Sequence, residues 1–258
     1  MHYCMSARIW PGMLAMGLLL GGCTTIRVEY DRMAGTTFPP ARTVAGNNVT
    51  LSSIYGNVGY VLDVQEDQTN IAALTGPVNP DDPNQYDYIT EAELDALETV
   101  NRGVAVAPDV WPCSWWLFSG TCRRYYLYGI VVNHYYEYAN GTRDTGIMGI
   151  MWKTTNRSAF SNFYRNATVS GNGGKFLRSA AHEIGHAFNL HHEDGDGYAT
   201  IMNQTWVVDD HYTYEFSANS QDHLKNHAAD CVMPGVGRFD MTCHTHSPYT
   251  AVANPACN

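Results

Sequence analysis

The clearest periodicity in the chain lies in Phe176 to Leu190, FLRSAAHEIGHAFNL. There Phe176, Leu177, Ala180, Ile184, Ala187, Phe188 and Leu190 recur at the three- and four-residue spacing of a helix. The stripe surrounds two histidines and predicts a buried helix. A second helix starts at Thr90, which forms a capping box with Glu93 and is followed by Leu94, Leu97 and Val100 at helical spacing. A third, polar helix is predicted over 217–229, SANSQDHLKNHAA, with Ser217 as its cap. Strand patterns occupy other stretches. Residues 124–138, RYYLYGIVVNHYYEY, predict one strand and 143–153, RDTGIMGIMWK, a second, with Asn140-Gly141 as the hairpin signal between them. Residues 49–74 mix β-branched and aromatic residues with glycine and read as strands. Residues 24–50 are rich in Thr, Pro, Gly and Asn and read as a tether, and the chain after Val232 reads as a stapled loop.

The apolar run Met13–Leu20 is too short for a membrane span, which needs about 20 residues. Met1–Gly22 holds one Arg and no acidic residue, and reads as a signal peptide. Leu20-Gly21-Gly22-Cys23 resembles a bacterial lipobox, which implies cleavage before Cys23 and lipidation of that cysteine. Thr24 in place of Asp at the next position resembles outer-membrane sorting. The expected division is thus a lipoprotein signal peptide over 1–22, a tether or short pro-segment over 23–50, and one domain over 51–258.

Composition changes the picture in two ways. With 15 Lys and Arg against 25 Asp and Glu, the chain carries a net charge of −10. Charge attraction to nucleic acid or to an anionic membrane is therefore excluded, and the membrane link falls to the lipid. Five cysteines follow Cys23, namely Cys113, Cys122, Cys231, Cys243 and Cys257, and an exported chain meets an oxidising compartment in which disulfides form. An odd number cannot all pair internally, and the spacing leaves the pairing open.

The candidate chemistry sits on the most periodic helix. His182, Glu183 and His186 form H-E-x-x-H. Histidines four apart share a helix face and can present two imidazoles to one ion, and Glu183 can reach a water there as general base. A catalytic zinc takes three protein ligands, and His192, six residues after His186, is the candidate third, with His191 as its neighbouring rival. His223 and His227 on the polar helix, and His244 and His246 near Cys243, lack a companion base and read as surface residues. Glu193, Asp194 and Asp196 crowd a glycine-rich loop, where Ca2+ binding and a plain solvated acidic turn both fit.

The segment 182–202 resembles the metzincin metalloproteases. Their pattern H-E-x-x-H-x-x-G-x-x-H, with a methionine in a tight turn, falls on His182, Glu183, His186, His192 and Met202. The family glycine is here Asn189, the non-glycine residue that best tolerates a left-handed turn. Residue 204 is Gln and not the tyrosine of some branches, which brings the chain nearer the matrixins. No cysteine lies between Cys23 and Cys113, so the matrixin cysteine switch is absent.

The resemblance implies an α/β (α+β) zincin domain. Its parts are a twisted mixed sheet with an antiparallel edge strand that takes up substrate, an active-site helix, and a small C-terminal subdomain from about residue 193. Residues 143–153 are the expected edge. It further implies a Zn2+-dependent endopeptidase in which Glu183 assists attack by a zinc-bound water, with protein or peptide substrates outside the cytoplasm and Met202 as an apolar floor beneath the histidines. The alternative is an exported lipoprotein with a purely structural zinc that serves as a binding or adhesion module. The oligomeric state is open.

Overall fold

The structure, a computed structural model, describes residues 24–72, 88–115, 118–138, 140–166, 169, 171–193, 199–204, 213–240 and 256–257. Its main sheet begins where a tether was expected. TIRVEYDR alternates Ile26, Val28 and Tyr30 into the core and forms β1 (Thr25–Arg32), an inner strand. The Pro- and Gly-rich composition just beyond it hid this alternation. An exposed hairpin follows, β2 (Arg42–Val44) with β3 (Asn47–Val49).

The next stretch, expected to be all strand, opens with α1 (Leu51–Gly56). Thr50 and Ser53 make a capping box, and Leu51, Ile54 and Tyr55 bury one helical face. The strand pattern is realised only in β4 (Val61–Glu66), which pairs parallel to β1. After the two-residue β5 (Tyr88–Ile89) comes α2 (Glu91–Asn101), begun by the Thr90–Glu93 capping box as its sequence predicts. Leu94 and Leu97 are buried, but Val100 is 82% exposed and contributes nothing to the core.

β6 (Asp109–Trp115) returns antiparallel into β7 (Phe118–Val132), whose other edges run parallel to β1 and β11. The strand predicted over 124–138 is therefore divided. β7 ends at Val132, and β8 (Tyr135–Glu137) leaves for a small sheet with β5 and β9 (Arg143–Asp144). Gly141, at φ 79°, makes the predicted turn between β8 and β9. Of the expected edge over 143–153, only β10 (Gly149–Ile150) joins the main sheet, antiparallel to β11 (Ala159–Phe163).

After α3 (Gly173–Ala187), α4 (Ala218–Asn226) and α5 (Ala229–Val232), the chain reaches β12 (Ala256–Cys257), antiparallel on β10. The order is β12-β10-β11-β7-β1-β4, with β6 also on β7, so the fold is α/β with a mixed, mostly parallel sheet.

Alternation in β7 sorts the core. Tyr125, Leu127 and Val131 pack with α1 and α3, whereas Tyr128, Ile130 and Val132 pack with Leu94 and Leu97 of α2 on the opposite face. At Gly129 a Cβ would lie 2.5 Å from the Phe160 ring, so glycine is what lets that ring close over the strand.

Among the described residues no helix is long and apolar enough to cross a membrane. Residues 1–23, with the lipidation candidate Cys23, lie outside the described residues, as do Asp194, Asp196, Cys243, His244 and His246 and the side chains of Cys113, Cys122 and Cys257.

Candidate metal centre

Asn172 caps α3 by accepting the Lys175 N–H at 3.1 Å, and every residue of the helix from Phe176 to Ala187 is buried. His182 and His186, one turn apart, face the same side. The helix stops at Phe188, and Asn189 takes φ 62°, the left-handed conformation its sequence position predicts. Its N–H donates to the His186 carbonyl at 2.9 Å, and the Leu190 N–H donates to Gly185 at 3.0 Å. The reversal carries His192 back over the helix.

Three imidazoles then converge. His192 Nε2 lies 3.1 Å from His186 Nε2 and 3.1 Å from His182 Nε2. All three residues are at most 1% exposed. His182 Nδ1 is 2.6 Å from the Ile201 carbonyl and His186 Nδ1 is 2.7 Å from the Leu190 carbonyl. Carbonyls only accept, so both Nδ1 atoms carry the proton and both Nε2 lone pairs point inward. A single proton on His192 Nε2 cannot serve both neighbours at once.

Burial, then the neighbouring rings, holds His182 and His186 well below the usual imidazole range. Burial, His191 and the Arg178 charge lower His192 to about 3. Three neutral imidazoles with converging lone pairs are the donor set of a zinc site, in which tetrahedral ligands about 2.0–2.1 Å from the ion stand about 3.3 Å apart. The residues fit the ion.

His191, the rival third ligand, turns away. Its ring stacks on Phe239 at 4.1 Å and its Nε2 lies 3.2 Å from the Asp240 carbonyl. His223, expected at the surface, is buried, with Nε2 3.3 Å from the Phe188 carbonyl where α4 packs on the end of α3.

Met202 lies under the helix, buried, where a Cβ at Gly185 would come 2.5 Å from its Sδ. Several residues without a motif to announce them hold this turn. Arg178 donates to the Thr200 and Asn203 carbonyls at 2.7 and 2.6 Å. Asn203 accepts the Thr200 N–H at 2.8 Å and donates to the Glu193 carbonyl at 2.9 Å. Glu193, expected in a solvated turn, is 1% exposed and accepts the Ser217 and Ser220 hydroxyls at 2.6 and 2.9 Å, which ties the residue after His192 to the start of α4. A charged residue inside an apolar helix window, such as Arg178, was the available signal.

Glu183 is fully buried and faces the sheet. A Cβ at Gly149 would lie 2.6 Å from Glu183 Cγ and 2.9 Å from its Oε1, so β10 approaches the carboxylate this closely only because residue 149 is glycine. Behind it, Tyr30 donates to Asn162 at 2.6 Å and Asn162 donates to Ser179 at 3.1 Å. Tyr55 donates to the Ala181 carbonyl at 2.8 Å. Burial first, and the Glu183 charge second, push both tyrosine hydroxyls well up, so they remain donors.

A second group of potential ligands, Glu29, Asp31 and Asp67, serves the fold: Glu29 accepts the Gly103 and Val104 N–H groups and Asp31 that of Gln68.

No protein-family model matches the chain, and no curated protein matches it. Among solved structures it is similar to a zinc-dependent peptidase from Methanocorpusculum labreanum (strain Z), at 14% identity over 77% of this chain and 99% of that one, with a TM-score of 0.39.

Proposed function

We propose that the protein is a zinc-dependent endopeptidase of metzincin type. The observation that carries this is the convergence of three buried imidazole Nε2 atoms, two of them on the helix that also carries Glu183, a buried carboxylate that abuts a sheet strand at Gly149.

His182, His186 and His192 would hold the ion. Bound there, zinc supplies Lewis-acid polarisation of a peptide carbonyl and acidification of water. The Ile201 and Leu190 carbonyls keep two of the imidazoles in the tautomer that binding needs, so little reorganisation is required. Glu183 takes a proton from the attacking water and passes it to the leaving amine, the general acid-base role of a carboxylate so placed. Substrate would lie extended beside β10, paired through backbone groups, with its carbonyl carbon presented to the water that Glu183 deprotonates. Met202, packed against Gly185, would form an apolar floor to the site.

The wider reading is of an exported protein anchored through a lipid on Cys23, at the outer membrane. An exported chain would meet an oxidising compartment, in which its cysteines would form disulfides.

The test is cleavage of a mixed peptide library by the zinc-loaded chain, beside Glu183→Gln and a chelated control. Cuts that vanish in both controls support the reading. Stoichiometric zinc binding without any cut, under conditions where the chain is folded, overturns it in favour of a structural metal. Incorporation of labelled palmitate that is lost in Cys23→Ser tests the anchor.

A further inference from the structure

A cleft of about 410 Å³ opens between β1, β4, the chain entering β2, and the helices α1 and α3. Its walls include the Tyr30 and Phe38 rings with Leu51, Val64 and Leu177, and the charged residue among them is Glu66. Leu177 stands five residues before His182, about 7.5 Å along α3, so the cleft is a different place from the three histidines. The strand register explains the carboxylate. Tyr30 lies opposite Glu66 and Val28 opposite Val64 in the parallel β1–β4 pair, and residues directly opposite share a face of the sheet. Tyr30, Val64 and Glu66 therefore project to the side on which α1 and α3 pack. The two rings stand 5.4 Å apart with their planes at 58°. Aromatic faces attract cations, and the Phe38 ring already receives one, with Arg32 Cζ 5.6 Å from its centroid. Arg32 is not part of the cleft wall and donates to the Thr36 carbonyl at 2.7 Å. Among the described residues no Lys or Arg pairs with Glu66.

We propose that this cleft binds a primary alkylammonium ion, its charge on Glu66 and its apolar stem between the Tyr30 and Phe38 rings, Val64 and Leu177. The walls select the two parts of the ligand separately. An anion is repelled by Glu66, whereas a neutral molecule with the same stem gains only the apolar contacts. The volume falls within the range of small-molecule sites, about 300–1,000 Å³. The site does not depend on the peptidase reading. Tyr30 links the two places, since its ring lines the cleft while its hydroxyl donates to Asn162 at 2.6 Å.

The measurement is a residue-resolved NMR titration of the full chain, with zinc added, using n-hexylammonium and, in parallel, n-hexanol, which has the same stem and no charge. Hexylammonium is expected to shift Leu51, Val64 and Leu177 saturably, with a Kd of about 1 mM, the range that so few non-hydrogen atoms allow. Hexanol is expected to bind about tenfold more weakly. Glu66→Gln, a change at an exposed position, is expected to remove that preference and leave hexanol binding as it was. Ala41→Phe, at an exposed point of the wall, is expected to abolish binding of both probes. Nα-acetyl-lysine methylamide separates the two sources of such an ion: binding as tight as hexylammonium indicates a lysine side chain, weaker binding a free amine, and either supports the site. Absence of saturable shifts at Leu51, Val64 and Leu177 up to about 20 mM hexylammonium overturns it, as does binding that survives Ala41→Phe. Equal affinity for the two probes, or a preference for hexylammonium that persists in Glu66→Gln, overturns the role given to the carboxylate.

Discussion

Asn189 sets the angle at which the chain leaves α3, and the cost of replacing it follows from its geometry. At φ 62° an ordinary L-residue is penalised by about 1–2 kcal/mol, whereas Asn is tolerated and Gly is free of the penalty. The side chain also accepts the Asp240 N–H at 3.2 Å, a bond that contributes about 0.5–1.5 kcal/mol. Asn189→Ala loses both and is expected to destabilise the metal-free chain by about 1.5–3.5 kcal/mol. Asn189→Gly loses the side-chain bond and loosens the unfolded chain, but relieves the backbone, for a net cost of about 0–1 kcal/mol. The difference extends to the metal. Leu190, the next residue, gives the carbonyl that orients His186, and loss of such a partner lowers metal affinity by about 10–100-fold. Urea unfolding without metal and zinc titration against a competing chelator measure the two effects. Ala is expected to be worse than Gly in both. If the two variants agree within about 0.5 kcal/mol, the left-handed turn is not what positions the third imidazole.

Three further substitutions probe the surroundings. Gly185→Ala places a methyl against Met202 Sδ, where a Cβ would lie at 2.5 Å, and is expected to cost about 1–3 kcal/mol by urea unfolding and to weaken zinc binding. Arg157, fully buried, donates to the carbonyls of Gly237, Ala187, Val232, Asp230 and Met233, and burial lowers its guanidinium to about 10. Arg157→Ala leaves those carbonyls without their donor and is expected to cost about 3–5 kcal/mol, a fall of about 6–20 °C in Tm. Burial, aided by the Glu29 charge, raises the Asp31 carboxyl from 3.8 to about 6. Between those values the folded chain holds a proton that the unfolded chain has released, so stability falls as pH rises from about 4 to about 6. Asp31→Asn is expected to abolish that fall, and parallel profiles of urea midpoint against pH in the two proteins would refute the assignment.

What the sequence made legible is local. The helix period around His182 and His186, the capping box at Thr90 and the Asn-Gly turn at 140–141 are each settled within a few residues, and the structure has all of them. The left-handed Asn189 belongs with these, because the conformation follows from one residue's own sterics. Even the choice of His192 over His191 is a matter of spacing after a turn.

What was not legible depends on partners far along the chain. β1 reads as part of a tether because two strands that flank it, β4 and β7, are needed before its alternation has a core to face. Glu193 reads as a solvated acid until Ser217 and Ser220 arrive to satisfy it, and His223 reads as a surface residue until α4 packs against the end of α3. Arg157 has no pattern at all, since its acceptors are backbone carbonyls, which every sequence contains. The edge strand combines the two cases. Its antiparallel character belongs to the segment 143–153, but its occupancy belongs to residues 256–257, and no local signal in either stretch refers to the other. A site whose candidate ligands lie on one helix and the turn after it can be read in sequence, while the pairing of residues 256–257 with the strand beside it joins stretches more than a hundred residues apart.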